Sequence, residues 1–129
     1  MADFLLDSDI LIWLLRGRME TVELVERLHR ETRAALACSA LTVLEVSTGV
    51  RPGEDRKTQG LMDSLRIVPV DAPIARSAAR LLSARKRQQN PREWIDAIIA
   101  ATCLEAGFTL VTYNVRDYPY REIALYPTV

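Results

Sequence analysis

The chain has 129 residues, 49% hydrophobic and 26% charged, which is enough apolar material for a core over the length of one domain, 1–129. Lys+Arg and Asp+Glu both number 17, so the formal net charge is zero and a general nucleic-acid coat, which rests on net positive charge against phosphates, is excluded. Cys38 and Cys103 match no zinc spacing and no disulfide framework, no apolar run approaches the length of a membrane span, and the N-terminus lacks the basic segment of a signal peptide.

A cytoplasmic, soluble chain with two small buried thiols is therefore expected. Residues 3–6 form an apolar run that stops at Asp7, the pattern of a buried strand. From Ser8 the apolar residues Ile10, Leu11, Leu14 and Leu15 fall at helix spacing, with Gly17 as the stop. A second helix over about 20–32 carries Val22, Leu24, Val25 and Leu28 among Glu and Arg. It also holds the single histidine, His29, on a charged surface that offers little to histidine-based catalysis. ALACS at 35–39 reads as a strand, and LTVLEVSTG as a helix from about Ser39 to Gly49.

RPGEDRKTQG is the loop candidate, broken by Pro52, Gly53 and Gly60, with a short helix within 54–64. LRIVPV reads as a strand, and Ala72 to about Gln89 as an Ala-, Arg- and Leu-rich helix ended by Asn90-Pro91. PREWIDAIIAATCLEAG is the next helix, with Pro91 suited to its start and Gly107 to its end. FTLVTYN gives a fourth strand and IALY a fifth. Strands alternating with helices predict a parallel sheet covered on both faces. In such sheets ligands bind beyond the carboxyl ends of the strands, where strand order reverses. Asp7 ends the first strand and Asn114 follows the fourth.

Four acids stand out against this background. Asp7 sits at a strand end, while Asp9 suits the first turn of the helix that follows, where a carboxylate meets free N–H groups and the helix dipole. Glu45 lies in LTVLEV on a side shared with Leu41, Leu44 and Thr48. A carboxylate on an apolar face is costly unless paired, so a metal or a buried Arg is its natural partner. Asp96 shares a stripe with Ile99, Ala100 and Cys103 on a helix apolar all round, which places it inside the protein or at the floor of a cleft. Asn114 and Asp117 lie just beyond the fourth strand. Carboxylates gathered at one sheet edge repel one another and are stabilised by hard divalent cations with all-oxygen ligands, Mg²⁺ or Mn²⁺ rather than zinc. The chemistry that follows is metal-assisted attack of water on a phosphodiester.

In order and spacing, LLDSDILI, the Glu within LTVLEVSTG, WIDAIIAATCLEAG and LVTYNVRDY resemble the motifs of PIN-domain ribonucleases, and more narrowly the VapC-type toxins of bacterial toxin–antitoxin pairs. The resemblance runs from Asp7 to the final strand. It implies a three-layer α/β/α fold around a central, mainly parallel sheet, and a metal-dependent endoribonuclease acting on structured RNA. It assigns Asp7, Glu45 and Asp96 to the acidic metal-binding places. After the fourth strand the family often reads Thr-Arg-Asn or Thr-Arg-Asp followed by Asp-Phe; here stand Thr112-Tyr113-Asn114 and Asp117-Tyr118. Asn114 is neutral and the weaker ligand, so Asp117 is read as the charged contributor. Ser8 is placed to hydrogen-bond a carboxylate or a phosphate oxygen.

The resemblance also implies a cognate antitoxin lying over the active-site groove, and a homodimer. The apolar surface of Ile12, Trp13 and Leu15 beside Arg16 is a candidate seat for an antitoxin helix. The basic stretch ARKRQQNPR at 84–92 is a candidate contact for RNA phosphates. Two rivals are weaker. In a haloacid-dehalogenase-like phosphatase Asp7 would be the nucleophile and Asp9 the acid and base. That chemistry, like that of a phosphoacceptor receiver domain, needs a well-placed Lys, and the chain has only Lys57 in a loop and Lys86 at a helix end. The other rival, a catalytically inactive PIN-like binding module, is opposed by the presence of all four acids.

Overall fold

The alternation of short apolar runs with amphipathic stretches resolves, in the computed structural model, into a sheet with helices on both faces; the structure describes residues 3–32, 34–85 and 90–128. Among these, β1 (Asp3–Leu6), β2 (Ala37–Ser39), β3 (Arg66–Val68), β4 (Phe108–Val111) and β5 (Ala124–Leu125) form one sheet in the order β3-β2-β1-β4-β5. Every pairing is parallel. The chain winds outward from β1 to β3, then returns to lay β4 on the other side of β1. The strand order therefore reverses between β1 and β4, where Leu6 pairs with Val111.

The connections are helical: α1 (Ser8–Leu15) and α2 (Met19–Glu31), α3 (Ala40–Thr48) and α4 (Asp55–Ser64), then α5 (Ala72–Ser83) and α6 (Pro91–Ala106). Side chains alternate along each strand and feed two cores. Phe4, Leu6, Cys38 and Val111 pack against Ile10, Leu11, Leu24, Leu28 and Val46 of α1, α2 and α3. Leu5, Ala37 and Leu110 face Ile74, Ala78 and Leu81 of α5 and Ala97, Ile99 and Ala100 of α6. This is the three-layer α/β/α arrangement that the resemblance implies. Cys38 and Cys103 are both buried free thiols, one on each side of the sheet.

Local chemistry explains the boundaries. Asp71 and Asn90 accept hydrogen bonds from the N–H groups of Ile74 (3.1 Å) and Glu93 (3.0 Å), each followed by Pro in the first turn, so α5 and α6 start where the proline pattern says. Gly107, at φ 75°, closes α6 with its N–H on the Cys103 carbonyl at 2.9 Å, a left-handed cap that favours glycine. The helix within 54–64 is a full ten-residue element, whereas the strand expected over 108–114 ends at Val111. The helix expected to reach Gln89 ends at Ser83; residues 86–89, with Lys86 and the middle of the basic stretch, lie outside the described residues.

Candidate active site

The register of β1 on β4 sets Asp7 beside Thr112 at the carboxyl edge of the sheet, and the Asp7 N–H continues the ladder to the Val111 carbonyl at 3.0 Å. Asp7 is 2% exposed and is itself the N-cap of α1. Its Oδ1 accepts from the Ser8 N–H at 2.8 Å, and its Oδ2 from the Thr112 hydroxyl at 2.9 Å and the Tyr118 hydroxyl at 2.8 Å. Hydrogen bonds to an ionised group are worth about 1.5–3 kcal/mol each, so three of them make burial of this charge tenable. The chain beyond β4 bends to deliver them. The Asn114 N–H donates to the Thr112 hydroxyl oxygen at 3.0 Å, and a 3-10 turn, Val115–Asp117, brings Tyr118 back under the edge. Burial, followed by the charges of Asp7 and Asp96, drives the Tyr118 phenol far above its ordinary range, so it stays a donor.

Asp9 does more than start a helix. Its Oδ1 accepts from the Ile10 N–H at 2.8 Å and its Oδ2 from the Tyr113 N–H at 2.8 Å, tying α1 to the chain after β4. Burial and then the charge of Asp7 raise its carboxyl to about 6, against the opposing pull of those two N–H groups and of the Thr112 hydroxyl.

A second group forms on the α6 side. Arg92, in the first turn of α6, donates from Nη1 to Glu45 Oε2 of α3 at 2.6 Å, and its Nη2 stands 3.3 Å from Asp96 Oδ1, one helical turn along. Glu45 thus has the Arg partner that its sequence setting asks for, though that Arg is half-exposed rather than buried. The side that Glu45 shares with Leu44 and Thr48 is the open side of α3. Leu44 is 60% exposed, and the core face belongs to Thr42 and Val46. Burial opposes the Arg92 charge, but the hydrogen bond to Glu45 and the charges of Asp96, Glu45 and Asp7 outweigh it, and the guanidinium is held firmly protonated.

Asp96 is buried at 4% exposure. Burial pushes its carboxyl up to about 7; Arg92 works against that shift, and the charges of Asp117, Asp7 and Glu45 add to it. The other three acids singled out in the sequence therefore all act electrostatically on Asp96. Asp117 is exposed on the 3-10 turn and lines, with Asp96, Arg85, Arg92 and Arg116, a cleft of about 210 Å³. The Asn114 side chain is exposed beside it, and its backbone supports Thr112. Ser8 contributes its backbone N–H to Asp7 rather than its hydroxyl.

Two carboxylate oxygens, Glu45 Oε1 and Asp96 Oδ1, are buried without a hydrogen-bond partner. The Arg92–Asp96 approach is an ion pair that lacks hydrogen-bond geometry, which reconciles the 3.3 Å separation with the orphaned oxygen. Orphaned anionic oxygens amid mutually repelling acids fit a hard divalent cation. Among the described residues no three His, Cys, Asp or Glu side chains are closed into a ready-made cage, and the guanidinium of Arg92 bridges two of the candidate ligands.

Sequence reasoning did not single out Arg92, Thr112 or Tyr118. Arg92 lay inside the basic stretch expected to meet phosphates, yet here it meets acids; its spacing of four from Asp96 was the available signal. Tyr118 stands where the family's motif often has Phe, and its added hydroxyl is what reaches Asp7.

The sequence matches the PIN domain family over residues 4–123. It is 32% identical over 118 residues to ribonuclease VapC10 of Mycobacterium tuberculosis, covering 92% of this chain and 87% of that one. It is 29% identical over 115 residues to ribonuclease VapC19 of the same organism, covering 89% and 91%. A solved toxin–antitoxin complex from Klebsiella pneumoniae contains a chain that superposes with a TM-score of 0.79 at 25% identity, covering 98% of each chain.

Proposed function

The chain belongs to the PIN-domain family, and on that premise we propose that it is a Mg²⁺- or Mn²⁺-dependent endoribonuclease, the toxin of a toxin–antitoxin pair, acting on structured RNA in the cytoplasm. The observation that carries the reading is Asp96, a buried carboxylate on the cleft with an oxygen that accepts no hydrogen bond and three other acids acting on it. Membership of this family sets aside the phosphatase alternative.

Asp7, Glu45, Asp96 and Asp117 would hold the ion, with Ser8 and Asn114 in support. When bound, a divalent cation supplies Lewis-acid stabilisation of the charge that develops on the phosphodiester. Thr112 and Tyr118 hold the Asp7 carboxyl in one orientation. Arg85 and Arg116, on the same cleft, neutralise the backbone phosphates of the RNA. Water attacks phosphorus and gives up its proton to the acidic cluster. The bond from phosphorus to O3′ breaks and the leaving oxygen takes up a proton, so the products carry a 5′-phosphate and a 3′-hydroxyl. The half-exposed Trp13 and the groove of Ile12, Leu15, Arg16, Val46 and Val50 between α1 and α3 receive a cognate antitoxin, and the chain pairs as a homodimer.

The test is cleavage of structured cellular RNA by the purified, antitoxin-free chain with Mg²⁺ or Mn²⁺, with chelator, and with Asp96→Asn. We expect cutting that stops in chelator and falls about 10²–10⁴-fold in the variant, the span for a positioned group that takes part in proton transfer. Cutting that survives chelation overturns the metal dependence. Inertness of the wild-type chain across a broad RNA panel favours the catalytically inactive binding module.

A further inference from the structure

Arg92 is placed against its own helix. It follows the cap Asn90 and Pro91 at the start of α6, where the helix dipole disfavours a cation. The helix dipole therefore does not account for its position, and the two carboxylates it touches do. From the geometry, and resting on the metal-ion part of the function proposed above, we propose that Arg92 is a built-in counter-cation: in the metal-free chain it holds Glu45 and Asp96, and it competes with the divalent cation for them.

Three features support this role over that of a plain structural ion pair. First, one guanidinium spans two elements, with Nη1 on Glu45 of α3 at 2.6 Å and Nη2 facing Asp96 of α6 at 3.3 Å. It neutralises the same two carboxylates that would bind the ion. Second, the match is incomplete. A fork pairing both oxygens of one carboxylate is the strong form of this interaction, whereas here Glu45 Oε1 and Asp96 Oδ1 remain without hydrogen bonds. Third, burial is unequal: the side chain of Arg92 is 48% exposed while those of Glu45 and Asp96 are 20% and 5% exposed. The cation can withdraw to water at little cost, and the acids cannot. Withdrawal leaves the guanidinium on the arginine-lined cleft it already borders, where an RNA phosphate would lie.

The measurement is Mn²⁺ binding by titration calorimetry on the full, antitoxin-free chain, for wild type, Arg92→Gln and Arg92→Lys, with melting temperatures in chelator and in Mn²⁺. Arg92→Gln is expected to bind Mn²⁺ about tenfold tighter, as removal of one like charge from a partly buried site implies. It should also melt below wild type in chelator, because Asp96 loses its counter-charge, and gain more than wild type on adding Mn²⁺. Arg92→Lys keeps the charge but loses the fork, and its affinity should fall between the two. If Arg92→Gln does not fold, Arg92→Lys decides, with tighter binding than wild type expected and unaltered binding overturning the competition. Folded Arg92→Gln that binds Mn²⁺ no tighter than wild type overturns the competition and leaves the nuclease reading standing. A wild-type chain that binds no Mn²⁺ overturns the metal reading itself, and the competition with it.

Discussion

The two halves of the site hold their carboxylates by opposite means. At the sheet edge, Asp7 is fixed by neutral donors, the Ser8 N–H and the Thr112 and Tyr118 hydroxyls, on segments anchored in the β1–β4 ladder. On the helix side, Glu45 and Asp96 share one half-exposed guanidinium and keep an orphaned oxygen each. Neutral donors orient a carboxylate without adding a counter-charge, and that is how Asp7 is held. A cation cancels charge, and can be exchanged for another cation. On the proposed function one half is preorganised and the other exchangeable, the division expected of a site that would exist both with and without an ion.

The largest effect that would test this division comes from removing one of the neutral donors. Tyr118→Phe keeps the ring in its buried place, is the residue the family's motif often carries there, and deletes only the hydroxyl on Asp7 Oδ2. RNA cleavage should fall about tenfold, the lower end of what loss of a group orienting a metal ligand costs, with a loss of about 1–3 kcal/mol in unfolding free energy. Wild-type rates and stability together would mean that Thr112 and the Ser8 N–H suffice, and that the edge is no better fixed than the helix side.

A smaller effect is expected from pH in the metal-free chain. Asp96 is raised from 3.8 to about 7 by burial, partly offset by Arg92, and Asp9 from 3.8 to about 6. Between roughly pH 4 and 7 the native state therefore binds more protons than the unfolded chain, and stability falls as pH rises through that window. Melting in chelator should decline from pH 5 to about pH 7 and level off above it, and Asp96→Asn should flatten the decline. A melting temperature that rises from pH 5 to 8 would show that Arg92 compensates Asp96 as fully as the neutral donors compensate Asp7.

The preorganised half was the more legible in the sequence. A strand that stops at Asp7, and a helix that begins there, needed only an apolar run and a change of period, and the topological switch followed from the alternation of elements. Asp96 was legible because WIDAIIAATC leaves it no polar face. Glu45 was harder, since LTVLEV is apolar nearly all round and conceals that Leu44 faces water. The Arg92 bridge to Glu45 spans 47 positions along a flexible side chain, and no local period encodes such a contact. Nor does one encode the bend after Val111 that carries Tyr118 back to Asp7. The strand signal of FTLVTYN was real, but Thr112 and the residues after it are drawn off the ladder by the carboxylates of Asp7 and Asp9.

The smallest effect concerns Asp9, whose hydrogen bonds tie α1 to the chain after β4. Its two oxygens take the N–H groups of Ile10 and Tyr113, and it touches neither Arg92 nor the cleft. In Asp9→Asn one oxygen still accepts while the other becomes a donor, which forfeits one of the two backbone N–H bonds at about 1 kcal/mol. Against that, the substitution removes a charge whose ionised form is opposed by burial and by Asp7. The two terms have opposite signs, so stability should change by less than about 1 kcal/mol, and RNA cleavage should stay far above that of Asp96→Asn. Should Asp9→Asn silence cleavage as completely as Asp96→Asn while remaining folded, Asp9 would join the chemistry, and the boundary between the two halves would have to be redrawn through α1.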